Sequence, residues 1–462
     1  MIKYIFVHFY TAKFVAACRR FFFAMVMFFS LHVSSKSQTA AGIIAELNSI
    51  NKTITNSPCS TGSGAVISNR AMNIFLADKT GYLSESSDLS YFTNYVTFNT
   101  AEAKLTVNHN FQKANRIDEP IKKLLSVGVN MHIANSFAPT FLGNNFENEL
   151  GLTINYKWLG KVKTGFGTCT TALPAANKKL AMDALRAAII HSLEIEINKK
   201  ETDFTAALNA IDIADLGPQN LAAAKELMKQ DFYENLTLEY KEKFAQLQAI
   251  KLTNTNNFKL ITSGWTSLTA YLPLVFPKYT VAPLLTINFQ QKHSYPPDIT
   301  LSHTRLWESS RLGRLFITLA GKVLFNNSKL SYGLDKINLT TYKNMGGTDT
   351  LHLAELTNDK AFIGLYKTFV TPSIKGRLVY FPGTSHVGIS FLMEQNFGSY
   401  NLLNGRLGIP VVLINNKKLP AVNLEFYLLF YDMSNKIAAA KKSGGNTFLG
   451  LGLGIPFSRL IY

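Results

Sequence analysis

Along much of this chain the apolar residues keep one parity, and the positions between them are small or polar. In "LSVGVNMHIA", Leu125, Val127, Val129, Met131 and Ile133 fall on one side; Ser126, Gly128, Asn130, His132 and Ala134 fall on the other. "ELGLTINYKWLGK" repeats the pattern, with Leu150, Leu152, Ile154, Tyr156 and Trp158 opposing Gly151, Thr153, Asn155 and Lys157. A strand points successive side chains to opposite faces, so each stretch predicts a strand with one apolar face.

More such segments follow. "RLFITLAGKVLFN" sets Leu315, Ile317, Leu319, Val323 and Phe325 against Thr318, Ala320, Lys322 and Asn326, with Phe316 and Leu324 breaking the alternation. "HVGISFLME" gives Val387, Ile389, Phe391 and Met393. Residues 405–432 predict a hairpin with a polar turn at Asn415–Lys418; its first arm shows Leu407, Ile409, Val411 and Leu413, and its second Val422, Leu424, Phe426, Leu428 and Phe430 against Asn423 and Glu425. The chain ends "TFLGLGLGIPFSRLIY", where Leu449, Leu451, Leu453, Ile455 and Phe457 alternate with glycines. Weaker candidates lie at 91–111, 265–291, 299–307, 349–356 and 361–381.

A soluble β-sandwich also alternates, but strands of about five or six residues suffice for it. Here the alternation runs longer, near the 9–11 residues with which a tilted strand crosses a bilayer. The face opposite the apolar one carries glycine, serine, asparagine and lysine. Apolar-out and polar-in is the pattern of a transmembrane barrel. Composition agrees: hydrophobic residues make up 47% and charged residues only 17%, against about 25% charged in average soluble domains. No uncharged apolar run after residue 33 reaches the roughly 20 residues of a spanning helix.

The start of the chain carries a different signal. "RRFFFAMVMFFSLHV" puts two arginines before an apolar stretch, and "SSKSQTA" follows with small residues at Ser35 and Ser37. That arrangement predicts a secretory signal peptide cleaved after Ser37. Removing residues 1–37 takes away Lys3, Lys13, Arg19, Arg20 and Lys36 and no acid, so the formal charge of +17 falls to +12. A basic exported protein suits anionic lipid headgroups or anionic solutes; a basic surface with no partner is the alternative. Cys59 and Cys169 remain after cleavage. An oxidising compartment permits a disulfide between them, and two separate cysteines are the alternative.

Residues 163–257 break the strand pattern. Leu180, Ala184, Leu185, Ile189, Leu193 and Ile197 recur at helical spacing, and Pro174 suits a first turn. After the breaker "DLGPQN", a second stripe runs through Leu221, Ala224, Met228, Phe232, Leu236, Tyr240, Phe244, Leu247 and Ile250. Two or three helices are expected, as a hairpin between barrel strands or as a plug in the lumen. Residues 38–90 contain the amphipathic "AGIIAELNSI" and are otherwise rich in Ser, Thr, Asn and Gly; they are an extension or a plug.

These segments, over residues 91–162 and 258–462, resemble bacterial outer-membrane β-barrel proteins at the level of class. The resemblance implies an antiparallel up-and-down barrel with an even strand number. Twelve is expected, with fourteen as the alternative, and an inserted helical hairpin lies between 91–162 and 258–462. It also implies outer-membrane lipid and the barrel-assembly machinery as partners. The terminal aromatic, Tyr462, resembles the signal that machinery reads. Leu460 and Tyr462 are out of phase with Phe457, which a bulge near Ser458–Arg459 would repair. The insertion is placed on the external side if 91–111 is one strand and on the side of the termini if it is two; the external side is favoured because barrels keep long loops there.

Chemistry-bearing motifs are absent from the sequence: no His-Glu-x-x-His, Cys-x-x-Cys, phosphate-binding loop or Gly-x-Ser-x-Gly elbow occurs. No catalytic residue, metal, cofactor or nucleic-acid partner is expected. The expectation is a channel or uptake barrel, with His132, Lys157, Lys322 and Arg406 facing the lumen and favouring anionic solutes. The alternative is a closed barrel whose helical arm, within 174–251, recruits a protein partner.

Overall fold

A computed structural model describes residues 39–59, 64–81, 93–99, 104–111, 121–132, 141–142, 145–146, 150–167, 177–211, 218–275, 278–284, 288–293, 295–327, 335–344, 353–399, 401–415, 420–434 and 447–459. The expected signal peptide, Cys169, Pro174 and Tyr462 lie outside them. The described chain divides into two compact units, one of residues 1–46 and 194–240, the other of 47–193 and 241–462.

Twelve strands of the second unit form the wall of a barrel. They are β1 (Thr93–Asn99), β2 (Lys104–Phe111), β3 (Lys123–His132), β4 (Leu150–Leu159), β5 (Leu260–Pro273) and β6 (Asp298–Ser309). The remaining six are β7 (Gly313–Asn327), β8 (Phe369–Pro382), β9 (Ile389–Asn396), β10 (Leu403–Ile414), β11 (Pro420–Phe430) and β12 (Thr447–Arg459). Each pairs antiparallel with its chain neighbours, and β12 pairs antiparallel with β1, which closes the sheet. Antiparallel closure requires an even number of strands, and the number is twelve. Lys163–Gly165 adds a short strand on β5.

The outer face is apolar. Val129, Ile154, Leu268, Leu301, Ile317, Leu319, Phe391, Ile409, Phe426 and Leu449 are all exposed on it. Burial alternates with this face along β4 and β6. In β12 the glycines of "GLGLG" face inward; a Cβ on Gly450 would overlap the ring of Tyr427. A bulge is present one residue before the expected Ser458–Arg459: Tyr95 pairs with Pro456 and Asn94 with Ser458, so Phe457 is skipped. Pro456, which has no N–H to donate, sits beside that irregularity.

Two expectations are corrected. Residues 91–111 form two strands, so β4 is the fourth. The insertion between β4 and β5 therefore leaves the barrel at the end where β1 starts and β12 stops, the side of the termini, and not at the opposite end. That end also carries the β6–β7 turn and the β8–β9 and β10–β11 connections, and is called the turn end below. Of the weaker candidates, 265–291 belongs only in part to the wall, and the described part of 349–356 does not belong to it. Lys278–Ala282 and Gln290–His293 join Asp335–Asn344 and Leu353–Ile363 in a separate four-stranded sheet.

Among the described residues four helices accompany the strands: α1 (Ala40–Thr55), α2 (Asn69–Thr80), α3 (Lys178–Asn209) and α4 (Pro218–Thr255). Asn177 caps α3, its side-chain oxygen accepting from the N–H groups of Lys179 and Leu180. The buried stripe of α3 differs from the expected one near its start. Leu180 is exposed, while Met182 and Arg186 are fully buried. Arg186 turns inward because it donates to the carbonyl of Val66, to Asn51 and to Thr55, and pairs with Asp183. On α4, Ile250 and Met228 are exposed, and Ala245, Gln248, Ala249 and Leu252 are buried instead.

In the first unit, α3 and α4 run side by side. Phe204 stacks on Phe232 with ring centroids 3.8 Å apart. Lys200 pairs with Glu239 at 2.6 Å, and the Tyr233 hydroxyl donates to Glu201 at 2.7 Å. The hydrophobic core of the second unit is built from Val66 to Ala77, the bases of α3 and α4, and inward residues of the wall. Phe75 meets Phe258 edge-to-face at 5.9 Å. Phe75→Ala should therefore lower stability by about 3–5 kcal/mol, the usual cost of emptying a buried phenylalanine site. The check is the urea midpoint at which the compact, fast-migrating form on an unheated gel is lost; an unchanged midpoint would contradict this packing.

Candidate functional site: the filled lumen

The barrel interior changes character along its length. Near the turn end it is apolar: Leu124, Trp265, Leu306, Phe316, Val379, Phe381 and Val412 point inward from six strands and are buried. Phe316, which broke the alternation of β7, is one of them. It turns inward because there is a helix, not water, to meet it.

That helix is α2. Ser68 caps it, accepting from the Ala71 N–H at 3.2 Å. Its sequence, "NRAMNIFLADKT", is buried on nearly every side: Ala71, Ile74, Phe75, Leu76 and Ala77 are inaccessible or nearly so. The polar Arg70, Asn73 and Thr80 are buried with them, so the helix is enclosed by the structure rather than laid on its surface. At its C-terminal end the contacts become ionic. Lys79 Nζ lies 3.5 Å from Glu308 of β6. Arg314 of β7 grips the same carboxylate in a two-point fork, Nε at 2.6 Å and Nη2 at 3.2 Å. Asn423 of β11 donates to the carbonyl of Gly81, just beyond the helix. Burial pulls the Lys79 ammonium below its ordinary range, and the Glu308 carboxylate opposes that shift.

The N-terminal side of α2 is held by the helical insertion. The Ser68 N–H donates to Gln248 at 2.9 Å, Arg70 pairs with Glu242, and Arg186 holds the carbonyl of Val66. The plug thus touches the wall at one end and the base of α3 and α4 at the other.

Elsewhere in the interior the inward contacts are polar. Asn108 donates to the Tyr95 hydroxyl at 2.8 Å and Asn155 to Thr269 at 2.9 Å; Ser126 bonds Asn110 and Asn130 bonds Thr153. Glu425 lies between Arg377 at 3.1 Å and Arg406 at 3.7 Å, and Ser390 donates to it as well. Arg406 also stacks on Tyr427 at 4.7 Å, whose hydroxyl donates to Asn99 at 2.6 Å.

Of the residues singled out in the sequence, Lys157 is fully buried and Arg406 is buried within the Glu425 cluster. Lys322 is partly exposed and pairs with Asp298 at 2.8 Å. His132 ends β3 opposite Lys104; its side chain lies outside the described residues. Cys59 is disulfide-bonded and packs on the plug's core. Sequence reasoning missed Lys79, Glu308, Arg314, Arg377 and Glu425. In the sequence Glu425 interrupts an apolar arm between Leu424 and Phe426, and Phe316 breaks a polar face. Those two were the available signals of a filled interior.

No protein-family model and no curated relative matches the chain. Among solved structures the chain is similar to a NanC porin in a rhombohedral crystal form, at 6% identity and a TM-score of 0.25, over 79% of this chain and 99% of that one. The strand pairings and the apolar outer wall define the class on their own: a closed, twelve-stranded transmembrane β-barrel.

Two predictions follow from this geometry. Glu308→Gln leaves Lys79 and Arg314 buried without their carboxylate and should cost about 3–5 kcal/mol, the range for breaking a buried pair from one side. Adding Lys79→Met should recover part of the loss, read as the urea midpoint of the single and double variants. The second concerns α3 and α4. Burial first, then Glu201, pushes Tyr233 up to about 12, and burial, then Glu196, does the same for Tyr240. Folding thus favours the neutral phenols. Their contribution is present below the ordinary value near 10 and is lost as pH rises through about 12. Tyrosinate absorbance at 295 nm should show a late component that shrinks in Tyr233→Phe and Tyr240→Phe.

Proposed function

We propose that the protein is an outer-membrane conduit for small anionic solutes, held shut at its turn end by α2. The observation that carries this reading is the plug itself: a capped helix seated among inward wall residues and fixed to them by one carboxylate and one amide. A wall that served only as an anchor needs no such polar latch. The sign of the interior supports the choice of solute. Among the described inward positions Lys157, Arg314, Lys322, Lys375, Arg377 and Arg406 outnumber Asp298, Glu308, Glu394 and Glu425. An excess of fixed cations lowers the barrier for anions. This reading assigns the protein no enzymatic step.

A second reading is favoured by one observation. Ile195, Leu227, Met228 and Leu238 are exposed apolar residues on the helical arm, a surface that suits a protein partner. Replacing residues 194–240 by a short Gly-Ser linker, which spares the plug's anchors on α3 and α4, separates the two readings. Conductance retained by that variant supports the conduit.

The direct test is a planar bilayer. The wild-type barrel should be closed most of the time, and deletion of residues 68–81 should raise the mean conductance severalfold with chloride preferred over potassium. Absence of conductance in the deletion variant, or a cation preference, would overturn the proposal.

A further inference from the structure

The outer wall is apolar on most strands, and a notch of polar and basic residues interrupts it on β6. On β6 the outward residues run Ile299, Leu301, then His303, Arg305 and Trp307. The neighbouring β5 presents Thr266, Gly264 and Thr262 opposite them. On the other side β7 is apolar at the same register, with Leu319, Ile317 and Leu315. An arginine on a lipid-facing wall is costly at the bilayer midplane and cheap near a headgroup layer. Arg305 lies four residues before the end of β6. At about 3.3 Å per residue and a tilt of about 40°, that places it about 10 Å inside the turn-end rim, within reach of the headgroups by snorkelling.

The notch is shaped as well as charged. Arg305 pairs in register with Gly264, so its neighbour has no side chain. A Cβ there would come within 3.3 Å of the Thr304 carbonyl and 3.8 Å of the His303 ring, so glycine leaves an open floor between His303 and Arg305. The Arg305 guanidinium lies over the Trp307 ring at 5.5 Å, and it makes no ion pair among the described residues. His303 is held by Thr266, Oγ1 to Nδ1 at 3.0 Å. That contact occupies Nδ1 and leaves Nε2 over Gly264; in the tautomer whose Nδ1 accepts from the hydroxyl, Nε2 carries the ring proton. Two donors therefore converge on one small floor. Trp158, exposed and paired with Thr266, bounds the far side. Lys123 pairs with Trp158 and Lys163 with Thr262, adding two outward cations to the same rows, and no acid lies on those rows.

We propose that this notch binds the phosphate headgroup of an anionic phospholipid from the leaflet at the turn end. Arg305 and the His303 Nε2–H hold the phosphate, Gly264 provides the space, and Trp158 and Trp307 seat the glycerol region at the membrane interface. The acyl chains then lie along the apolar outer faces of β6 and β7. This site is independent of whether the lumen conducts.

The test is native mass spectrometry of the purified full barrel, supplied with equimolar phosphatidylglycerol and phosphatidylcholine of identical acyl chains. The wild type should retain phosphatidylglycerol preferentially. Arg305→Gln should cut that preference about fivefold, the factor expected for one basic residue at an anionic surface. Gly264→Val keeps every charge but fills the floor, and should lose the preference to a similar extent; it carries the test if Arg305→Gln does not reach the compact form on an unheated gel. Arg311→Gln, at the β6–β7 turn, should retain it. Millimolar inorganic phosphate should not displace the lipid. Equal retention of the two lipids by the wild type would overturn the proposal, as would an unchanged preference in the Arg305 and Gly264 variants. Displacement by phosphate would also overturn it, because the site would then serve a free anion.

Discussion

Everything in this protein depends on the ladder between β1 and β12. In hydrocarbon no water is present to satisfy a backbone N–H or C=O, so a sheet survives there only without edges. The β1–β12 pairing removes the last two edges, and it does so across an irregularity at Phe457, beside a proline that cannot donate. The bulge permits the closing strand to end with a proline near the rim and still complete the ring. Antiparallel closure also sets the parity of every connection. With β1 and β2 as separate strands, the helical insertion can emerge only at the turn end.

Closure creates an interior, and the interior must be filled. Polar pairs along the strands do this in one stretch: Asn108 with Tyr95, Asn155 with Thr269, and Glu425 with two arginines. Near the turn end α2 does it, meeting Phe316, Phe381 and Trp265 with an apolar surface of its own. At the turn-end rim, one register pair from the β6–β7 turn, Lys79 and Arg314 share Glu308 and fasten the helix to the wall. Small inward residues are part of the same constraint, since Tyr427 can lie across the interior only where Gly450 gives it room.

The outer wall was legible in the sequence because lipid demands apolar residues at every second position, and nothing overrides that demand on most strands. The strand number followed from it. The interior was less legible, because two chemistries share it and only one alternates. Phe316 looked like noise in a polar face; it is the imprint of a helix from elsewhere in the chain. The expected stripe on α3 slipped for a related reason: Arg186 is recruited inward by carbonyl and hydroxyl groups more than a hundred residues away. The end from which the insertion leaves is set by the strand count, with β1 and β2 separate, and a general tendency of long loops does not predict it.

The central claim is that α2 occupies the mouth of a barrel whose outer face meets lipid. Cysteines placed one at a time at Leu319 and Asn73, and modified with spin labels in lipid bilayers, test both halves together. The account predicts that the label at 319 collides with oxygen dissolved in the bilayer and not with a water-soluble nickel complex, while the label at 73, on the buried helix, is shielded from both. A label at 73 fully open to the nickel complex would contradict the plug, and one at 319 open to it would contradict the membrane barrel.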